Sequence, residues 1–557
     1  MTAALTQGWL GFALGYTVVQ GAMIVALARG ARARLSHYVL SPVIAAPLTA
    51  AAAAGIGLSS YLLAPFGVAH QGLMHLGLAT AVSAALGYCG GNAMTKEAPD
   101  DKTHRRGALV SNRSADRQRS RRFAREPGLT LAGTEVPAQD ETKHFKLVGT
   151  TGTGKSTAVR EILSNALARG DRAVIADPDG GYLQRFYRPE RGDVVLNPFD
   201  ERSVKWDLFA EIKNTHDVEQ LARSLIPDHD GHDRSWREYA RTFFSSVTRQ
   251  AHESGIQEVE ELFRLLVVAD AGELRKLVRG TPAQPFLDEN NSRMFDSIRS
   301  VTSSAVGALA HVARQQARGF SVRQWIGERS PGVLFLPYKA GQIAALRSTI
   351  SAWMRLAIFE VMDQDEPRGK PGDADRLWFV VDELDALGQI DGLKDALARV
   401  RKFGGRCILG FQSIAQVSST YGQGDAHTIV ENCGNTLILR CSASEGGGTA
   451  RFASQLIGER EVTHTSVSKS CRVTELWGSV TRSEHRSVEP AVLPSQVEQL
   501  PDLAGYLKYA SDPQWQRVRL DAAHAWRELR GGEPGVRCEP LRGQREHGMS
   551  AGVSDRA

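Results

Sequence analysis

The sequence predicts a doubly wound α/β fold, in which helices cover both faces of a mostly parallel sheet. Several short segments are almost wholly apolar, as central parallel strands are when both of their faces are buried. Helix-prone segments such as 391–401 alternate with these strands. A glycine-rich loop joins one strand to a helix, and two acidic residues end another strand. The predicted strands are 145–148, 173–176, 194–196, 333–336, 377–383, 407–412 and 436–440.

Length and composition fit a globular protein of about three domains. The chain has 557 residues, of which 42% are hydrophobic and 23% are charged. The net charge of +5 is too small to indicate a class of partner. The six cysteines form no C-x-x-C pair. This spacing argues against a zinc ribbon or a disulfide framework, and it fits a reducing compartment.

The N-terminal region, 1–95, is predicted to cross a membrane three times. Residues 9–28 carry no charge and are long enough to span a bilayer. Residues 35–95 contain no Asp, Glu, Lys or Arg and are too long for one span, so we expect two helices at about 39–64 and 72–92. Three arginines between the first two helices should stay in the cytoplasm, which places the N-terminus outside. The alternatives are a cleaved signal peptide, which would need an N-terminal positive charge, and a buried hairpin of a soluble protein.

The following segment, 96–127, is predicted to be a basic linker. Residues 104–125 contain eight arginines and one acid. Such a segment can bind anionic lipid head groups or nucleic-acid phosphates. It can also be a solvated linker, and the composition does not separate these three possibilities.

The glycine-rich loop has the sequence G-T-T-G-T-G-K-S at 149–156 and fits the P-loop pattern G-x-x-x-x-G-K-[ST]. Backbone N–H groups of such a loop surround phosphate oxygens at the start of a helix. Lys155 is expected to reach the β- and γ-phosphates of ATP, and the Ser156 hydroxyl is expected to hold Mg²⁺. The candidate nucleotide-binding residues are Gly149, Thr150, Thr151, Gly152, Thr153, Gly154, Lys155, Ser156 and Thr157.

Two further strand ends carry candidate catalytic residues. Five apolar residues followed by Asp382 and Glu383 form a Walker B pattern. Asp382 is expected to hold Mg²⁺ through its water shell, and Glu383 to orient or deprotonate the attacking water. Gln412, at the tip of another strand, is expected to sense the γ-phosphate. The cofactors predicted from these motifs are ATP and Mg²⁺.

The long separation between the P-loop and Asp382 indicates an inserted domain, at 211–325. This region is rich in helical patterns, since Val259, Leu262, Phe263 and Leu266 recur with helical spacing. We therefore predict an all-α insertion. Its segment with Arg234, Trp236 and Arg237 mixes arginines and aromatics, which suits DNA phosphate contact and base stacking. The same mixture equally suits an ordinary amphipathic helix.

Together these motifs resemble those of the type IV coupling proteins, the membrane ATPases of bacterial conjugation. The resemblance extends from the membrane helices to about residue 510. Besides the P-loop, it rests on V-D-E-L at 381–384, R-K-F-G-G at 401–405, G-F-Q-S at 410–413, L-N-P-F-D at 196–200 with Trp206 downstream, and the segment 494–507.

The resemblance implies a RecA-like nucleotide-binding domain, at 128–210 and 326–525, and a homohexameric ring below the inner membrane. It implies single-stranded DNA bound to a relaxase as substrate, and type IV secretion channel proteins as partners. Arg401 matches the arginine finger that the family offers to ATP in the neighbouring subunit, with Lys402 and Arg440 as weaker candidates. Trp236 lies near the position of the family's pore-facing tryptophan.

The sequence departs from the family's pattern at both ends. The family commonly has two membrane helices and a cytoplasmic N-terminus, whereas three helices and an external N-terminus are predicted here. Some relatives have a long acidic tail that docks the relaxosome, whereas residues 526–557 are rich in Gly and Arg and are predicted to be disordered.

Two other functions fit the same motifs. One is a double-stranded DNA translocase of the chromosome-segregation type, which would usually carry a winged-helix DNA reader that we do not expect after residue 510. The other is a docking receptor for secreted proteins that uses nucleotide for assembly. The intact pair of Walker B acids favours turnover over a purely structural role.

Overall fold

The computed structural model describes residues 2–29, 35–63, 72–95, 102–111, 128–227, 234–364, 376–470 and 479–521. The chain divides into two compact units. One unit comprises residues 1–105 and 461–487, and the other comprises residues 106–460 and 488–557. The predicted disordered tail at 526–557 lies outside the described residues.

The helices are α1 (Thr2–Arg29), α2 (Leu35–Leu63), α3 (Gly72–Thr95), α4 (Lys155–Ala168), α5 (Gly181–Phe186), α6 (Thr215–Leu225), α7 (Arg234–Glu253), α8 (Val259–Phe263), α9 (Ala271–Leu277), α10 (Ser292–Val306), α11 (Leu309–Ala313), α12 (Val322–Gly327), α13 (Ile343–Asp363), α14 (Leu393–Val400), α15 (Ile414–Tyr421), α16 (Gln423–Asn432), α17 (Gly448–Ile457) and α18 (Pro494–Glu498). The strands are β1 (Lys102–Gly107), β2 (Val110–Ser111), β3 (Thr130–Leu131), β4 (Thr134–Glu135), β5 (Phe145–Val148), β6 (Arg172–Pro178), β7 (Val194–Val195), β8 (Lys205–Trp206), β9 (Gly319–Phe320), β10 (Val333–Tyr338), β11 (Leu377–Val381), β12 (Gly405–Phe411), β13 (Asn435–Ile438), β14 (Glu459–Ser470), β15 (Ser479–Pro490), β16 (Ala504–Lys508) and β17 (Trp515–Arg519).

The first unit contains three long N-terminal helices, α1, α2 and α3. Helix α3 packs closely against α1 because Gly87 and Gly91, four residues apart, leave room for its backbone. A Cβ atom at Gly87 would lie 2.3 Å from the carbonyl oxygen of Val19. This small-residue contact is typical of helices that associate within a membrane.

Two segments of these helices, Trp9–Ala28 and Ser36–Ala54, are long and apolar enough to cross a membrane, by length and composition alone. Helix α2 starts earlier than expected and continues through Pro42 and Pro47. The third predicted span corresponds to α3, which does not meet the same criterion among the described residues. A third crossing therefore stays a prediction.

A three-stranded sheet with the order β1-β14-β15 lies mostly in the first unit. Strand β1 falls in the segment predicted to be a linker, whereas residues 112–127, with most of the arginines, lie outside the described residues. The hairpin strands β14 and β15 were not predicted from the sequence. Their polar composition, E-R-E-V-T-H-T-S-V-S-K-S in β14, gives no clear apolar alternation.

The second unit is built on a ten-stranded sheet with the order β2-β17-β16-β13-β5-β12-β11-β6-β10-β7. The seven strands from β13 to β7 are parallel. Strands β16 and β17 continue the sheet with antiparallel pairing. The predicted α/β fold with a mostly parallel sheet is therefore confirmed. All seven predicted strands are present, with ends shifted by a few residues at most.

Side chains of the central strands alternate between two hydrophobic cores, one on each face of the sheet. In β11, Trp378 and Val380 belong to the core that contains α4. Leu377, Phe379 and Val381 belong to the core that contains α13. This two-sided burial explains why the strand sequences are almost entirely apolar.

The segment 211–325 is mainly helical and comprises α6 to α12, a π-helical turn at Arg264–Val268 and the two-residue strand β9, which pairs with β8. It shares one continuous hydrophobic core with the α13 face of the sheet. A buried arginine in α12, Arg323, reinforces this attachment. Its Nε donates to Glu360 of α13 at 2.8 Å, and its guanidinium also pairs with Asp217 of α6.

A buried histidine, His144, lies immediately before the P-loop strand β5. It is 1% exposed. Its Nδ1 accepts from the backbone N–H of Cys407 at 3.1 Å, so its Nε2, 2.8 Å from the Leu397 carbonyl, is the donor of a neutral ring. Burial lowers the pKa of His144 to about 4, and the nearby positive charges of Arg401 and Arg406 add to this effect.

This lowered pKa predicts a loss of stability in mild acid. Between pH 6.5 and about 4 the unfolded chain binds a proton at His144 that the folded chain does not, so stability falls as the pH falls. At pH 5 we expect this one group to cost about 2 kcal/mol. The apparent melting midpoint of the full wild-type chain should therefore drop more between pH 7 and pH 5 than that of His144→Gln. Equal drops for both proteins would contradict this prediction.

Candidate nucleotide-binding site

The P-loop joins β5 to α4, as predicted, and two of its glycines have backbone conformations that favour glycine. Gly152 has φ +76° and Gly154 has φ +117°. A Cβ atom at Gly154 would also lie 2.9 Å from side-chain carbons of both Leu503 and Leu520. The loop is held to the sheet by backbone hydrogen bonds from Gly149 to Phe411 and from Thr150 to Arg440. These constraints fix the backbone conformation of the P-loop at the start of α4.

Lys155 and Ser156 start α4 and point back toward the loop and across to β11. The Lys155 ammonium donates to the carbonyls of Gly149 at 2.6 Å and Thr150 at 3.2 Å. Burial lowers the pKa of Lys155, although the carboxylates of Asp382 and Glu383 oppose that shift. The Ser156 hydroxyl donates to Asp382 Oδ2 at 2.6 Å. The structure therefore brings the two Walker motifs into direct contact.

Asp382 directly follows the buried strand β11 and is 3% exposed. Its Oδ2 accepts from Ser156 and also from the Tyr182 hydroxyl at 2.8 Å. Its Oδ1 is buried and has no hydrogen-bond partner among the described residues. Mg²⁺ prefers oxygen ligands and usually retains several waters beside one or two protein groups. A serine hydroxyl beside a carboxylate with one free oxygen fits this ion.

Gln412 connects the P-loop to Glu383. Its amide Nε2 donates to Glu383 Oε1 at 2.9 Å, and its Oε1 accepts from the Thr151 hydroxyl at 2.9 Å. This bridge is possible because β12 lies between β5 and β11, so that its carboxyl end falls between the two motifs. Burial raises the pKa of Glu383, while the Gln412 hydrogen bond opposes this shift and the nearby Asp382 adds to it.

Arg401 lies near the amino-terminal ends of the parallel strands, whereas these residues lie at the carboxyl-terminal ends. It is exposed in a 3₁₀ turn, Arg401–Phe403, that precedes the amino end of β12, whereas Gln412 follows the carboxyl end. Seven residues of strand span about 23 Å. Arg401 and the exposed Lys402 are thus remote from the P-loop of their own chain. Arg440, by contrast, lies beside its own P-loop, where its guanidinium pairs with Asp502 at 2.7 Å.

The three candidate DNA-contact residues lie at the start of α7, and the contacts that the structure gives them involve none of the P-loop and Walker B residues. Trp236 is half-buried and packs edge-to-face on Tyr239, with ring centroids 5.9 Å apart. Arg237 donates to the Pro227 carbonyl at 3.4 Å. Arg234 is exposed and borders a cavity of about 240 Å³ between α7 and the segment that follows Walker B.

Sequence reasoning missed two residues of the site, Asp177 and Tyr182. Asp177 is fully buried at the end of β6 and accepts from the backbone N–H groups of Tyr182 at 3.0 Å and Leu183 at 2.6 Å. Burial raises the pKa of Asp177 to about 6, although these hydrogen bonds oppose the shift. The pKa of Tyr182 is raised by burial and by Asp382, so its hydroxyl stays protonated and donates. The D-P-D-G turn at 177–180 indicated only a turn.

Comparison with known proteins supports the interpretation of these motifs. A family model for the type IV secretion-system coupling protein DNA-binding domain matches residues 128–521. The coupling protein TraD of Escherichia coli K12 is 28% identical over 389 residues, covering 69% of this chain and 53% of TraD. A conjugal transfer protein TraG of Escherichia coli is 24% identical over 407 residues, covering 64% of this chain and 62% of TraG. The chain thus aligns with little more than half of the length of these relatives.

Solved structures of the plasmid coupling protein TrwB have the same fold. The complex of TrwB with the non-hydrolysable GTP analogue GDPNP has a TM-score of 0.65 and 30% identity, covering 76% of this chain and 96% of that chain. The complex of TrwB with ADP and Mg²⁺ matches with the same values. The RecA-like fold that the resemblance implied is therefore confirmed. Since the family model covers well over half of the sequence, the chain belongs to the type IV secretion-system coupling protein family.

Proposed function

We propose that this protein is a membrane-anchored ATPase that uses ATP hydrolysis to move single-stranded DNA toward a type IV secretion channel. The observation that carries the proposal is the bridge from Thr151 through Gln412 to Glu383, next to the Ser156–Asp382 contact. It links the phosphate-binding loop to the candidate catalytic carboxylate by two hydrogen bonds. Family membership and the complex of TrwB with ADP and Mg²⁺ agree with nucleotide as the ligand.

Different residues of one chain would bind the phosphates, hold Mg²⁺ and activate the attacking water. The loop N–H groups and Lys155 bind and orient the phosphates, and Ser156 with Asp382 would hold Mg²⁺, which neutralises phosphate charge when bound. Glu383 orients the attacking water and accepts its proton, and its raised pKa makes the carboxylate a stronger base. Gln412 passes the state of the phosphate site to the segment after Walker B through its contact with Glu383.

Arg401 would act on the nucleotide of a neighbouring subunit. Because Arg401 precedes the amino end of β12, it cannot reach the nucleotide site of its own chain. Its side chain is exposed and therefore accessible to another chain. A closed ring of identical subunits places the same surface against each site in turn. We propose a homohexamer on this basis, together with the resemblance to the family.

The membrane region would anchor the ring to the inner membrane, with the nucleotide-binding unit in the cytoplasm. The two apolar segments in α1 and α2 support membrane attachment, and α3 would be a third crossing. The basic cluster of Arg29, Arg32 and Arg34 favours a cytoplasmic connection after the first span and therefore an external N-terminus. The basic segment 96–127 would contact anionic lipid heads or the phosphates of DNA.

The helical insertion would contact the DNA substrate. Trp236, Arg234 and Arg237 cluster at the start of α7, where the half-buried Trp236 ring, the exposed Arg234 and the half-buried Arg237 could contact single-stranded DNA. The proposed partners are a relaxase that delivers the DNA and the proteins of the secretion channel.

The replacement Lys155→Ala tests the proposal. Losing this ammonium should lower ATP hydrolysis by at least about 100-fold, because it removes a preorganised charge from the phosphate site. Hydrolysis should be measured on the full chain with and without single-stranded or double-stranded DNA. Lys276→Ala, at an exposed position outside the nucleotide-binding residues, is the matched control and should hydrolyse ATP like wild type in the absence of DNA.

Wild type should be stimulated more by single-stranded than by double-stranded DNA. DNA-stimulated hydrolysis by Lys155→Ala would contradict the assignment of the site. Stronger stimulation of wild type by double-stranded DNA would instead favour a duplex translocase.

A further inference from the structure

The Asp382 carboxylate receives two side-chain hydrogen bonds on the same oxygen. Ser156 Oγ and the Tyr182 hydroxyl both donate to Oδ2, at 2.6 Å and 2.8 Å. The other oxygen, Oδ1, is buried and has no partner among the described residues. The ring and its carboxylate partner are 200 residues apart in sequence, so only the fold brings them together.

Tyr182 is itself held in place from two directions. The carboxylate of Asp177 accepts the backbone N–H groups of Tyr182 and Leu183 and so fixes the start of α5. The guanidinium of Arg160, one turn after Ser156 on α4, lies 5.7 Å from the centre of the Tyr182 ring. With 2% exposure, the ring has little freedom to turn. Its hydroxyl therefore has a fixed position relative to both Walker motifs.

A glycine of the neighbouring strand β12, Gly410, lets Asp382 pack closely against that strand. A Cβ atom at Gly410 would lie 2.2 Å from the Asp382 carbonyl oxygen and 3.1 Å from Oδ1. Two donors on Oδ2 and none on the buried Oδ1 among the described residues leave the carboxylate with one unused acceptor oxygen.

We propose that Tyr182 is a positioning residue for the Mg²⁺ site, because its hydroxyl orients the Asp382 carboxylate and leaves Oδ1 for the water shell of the ion. Outer partners of this kind fix the orientation of a ligand, and their loss typically weakens metal binding 10- to 100-fold. The inference rests on the proposed ATPase function. It adds a residue outside the two Walker motifs to the same site.

The test is Tyr182→Phe in the full-length protein, which keeps the ring and its packing against Arg160 and removes only the hydroxyl. The measurement is the affinity for a fluorescent ADP analogue as a function of Mg²⁺ concentration. We expect the Mg²⁺ concentration at half-saturation to rise by about 10-fold. In EDTA the affinity for the analogue should be unchanged, because the loop and Lys155 are untouched.

The matched control is Tyr187→Phe, a half-buried tyrosine that packs edge-to-face on Phe335 with ring centroids 6.2 Å apart. It should keep the wild-type Mg²⁺ response. A Tyr182→Phe protein with an unchanged Mg²⁺ response would overturn the inference, as would an equal loss of affinity in EDTA. If wild type itself bound no nucleotide with Mg²⁺, the proposed function would fail instead.

A second variant keeps the test decisive if Tyr182→Phe does not fold. Placing 4-fluorophenylalanine at 182 fills the volume of the hydroxyl with an atom that cannot donate a hydrogen bond. The same rise in Mg²⁺ half-saturation is expected, at a melting midpoint close to that of wild type. An unchanged half-saturation in this variant would also overturn the inference.

Discussion

Replacing Glu383 by glutamine is expected to lower the rate of ATP hydrolysis by about 10²- to 10⁴-fold, because the site loses its general base. The replacement is nearly isosteric, and an amide oxygen at position 383 can still accept the hydrogen bond from Gln412. The loop, Lys155, Ser156 and Asp382 keep their contacts. Nucleotide binding should therefore stay close to that of wild type.

Phosphate release and the affinity for a fluorescent nucleotide, measured on the same preparation, check this prediction. Glu498→Gln, at an exposed position in α18, is the matched control and should hydrolyse ATP normally. A Glu383→Gln protein that retains half of the wild-type rate would show that another group activates the water.

Replacing Arg401 by alanine is expected to lower hydrolysis by about 10³-fold or more, since an arginine finger stabilises the charge of the transferring phosphoryl group. The affinity for nucleotide measured at low protein concentration should not change, because Arg401 lies at the opposite end of the strands from its own P-loop. The loss should thus appear only in the rate of the assembled protein.

Arg399→Ala is the matched control, because Arg399 is also exposed and lies two residues earlier, in the last turn of α14. It should hydrolyse ATP at close to the wild-type rate. Equal losses in the two variants would indicate a general effect of basic charge on this surface and would remove the special role of Arg401.

The parts of the site that follow from local sequence were predictable. A P-loop needs a strand, a flexible turn and a helix in succession, and these occur within 145–168. The Walker B acids follow an apolar strand for the same reason. Strand order was not predictable, because fully apolar strands carry no information about their neighbours. The bridge made by Gln412 depends on that order, since β12 must lie between β5 and β11.

Tyr182 could not be found from the sequence because its role depends on a contact with a residue 200 positions away. The hairpin β14–β15 was missed for a different reason. It pairs with β1, and neither strand has the apolar alternation that marks a half-buried strand. The helical insertion was predictable from its periodic apolar residues. Its attachment through Arg323 was not, because buried ion pairs leave no periodic pattern.

We propose that each nucleotide lies at a contact between two identical subunits, with Glu383 supplied by one and Arg401 by the next. The most direct test is to co-assemble Glu383→Gln and Arg401→Ala subunits in equal amounts and to measure ATP hydrolysis. Each variant alone should be inactive, whereas about a quarter of the contacts in a random mixed ring would combine an intact Glu383 with an intact Arg401. We expect recovery of about a quarter of the wild-type rate, if the contacts act independently. A mixture that stays as inactive as its components would contradict a site shared between subunits.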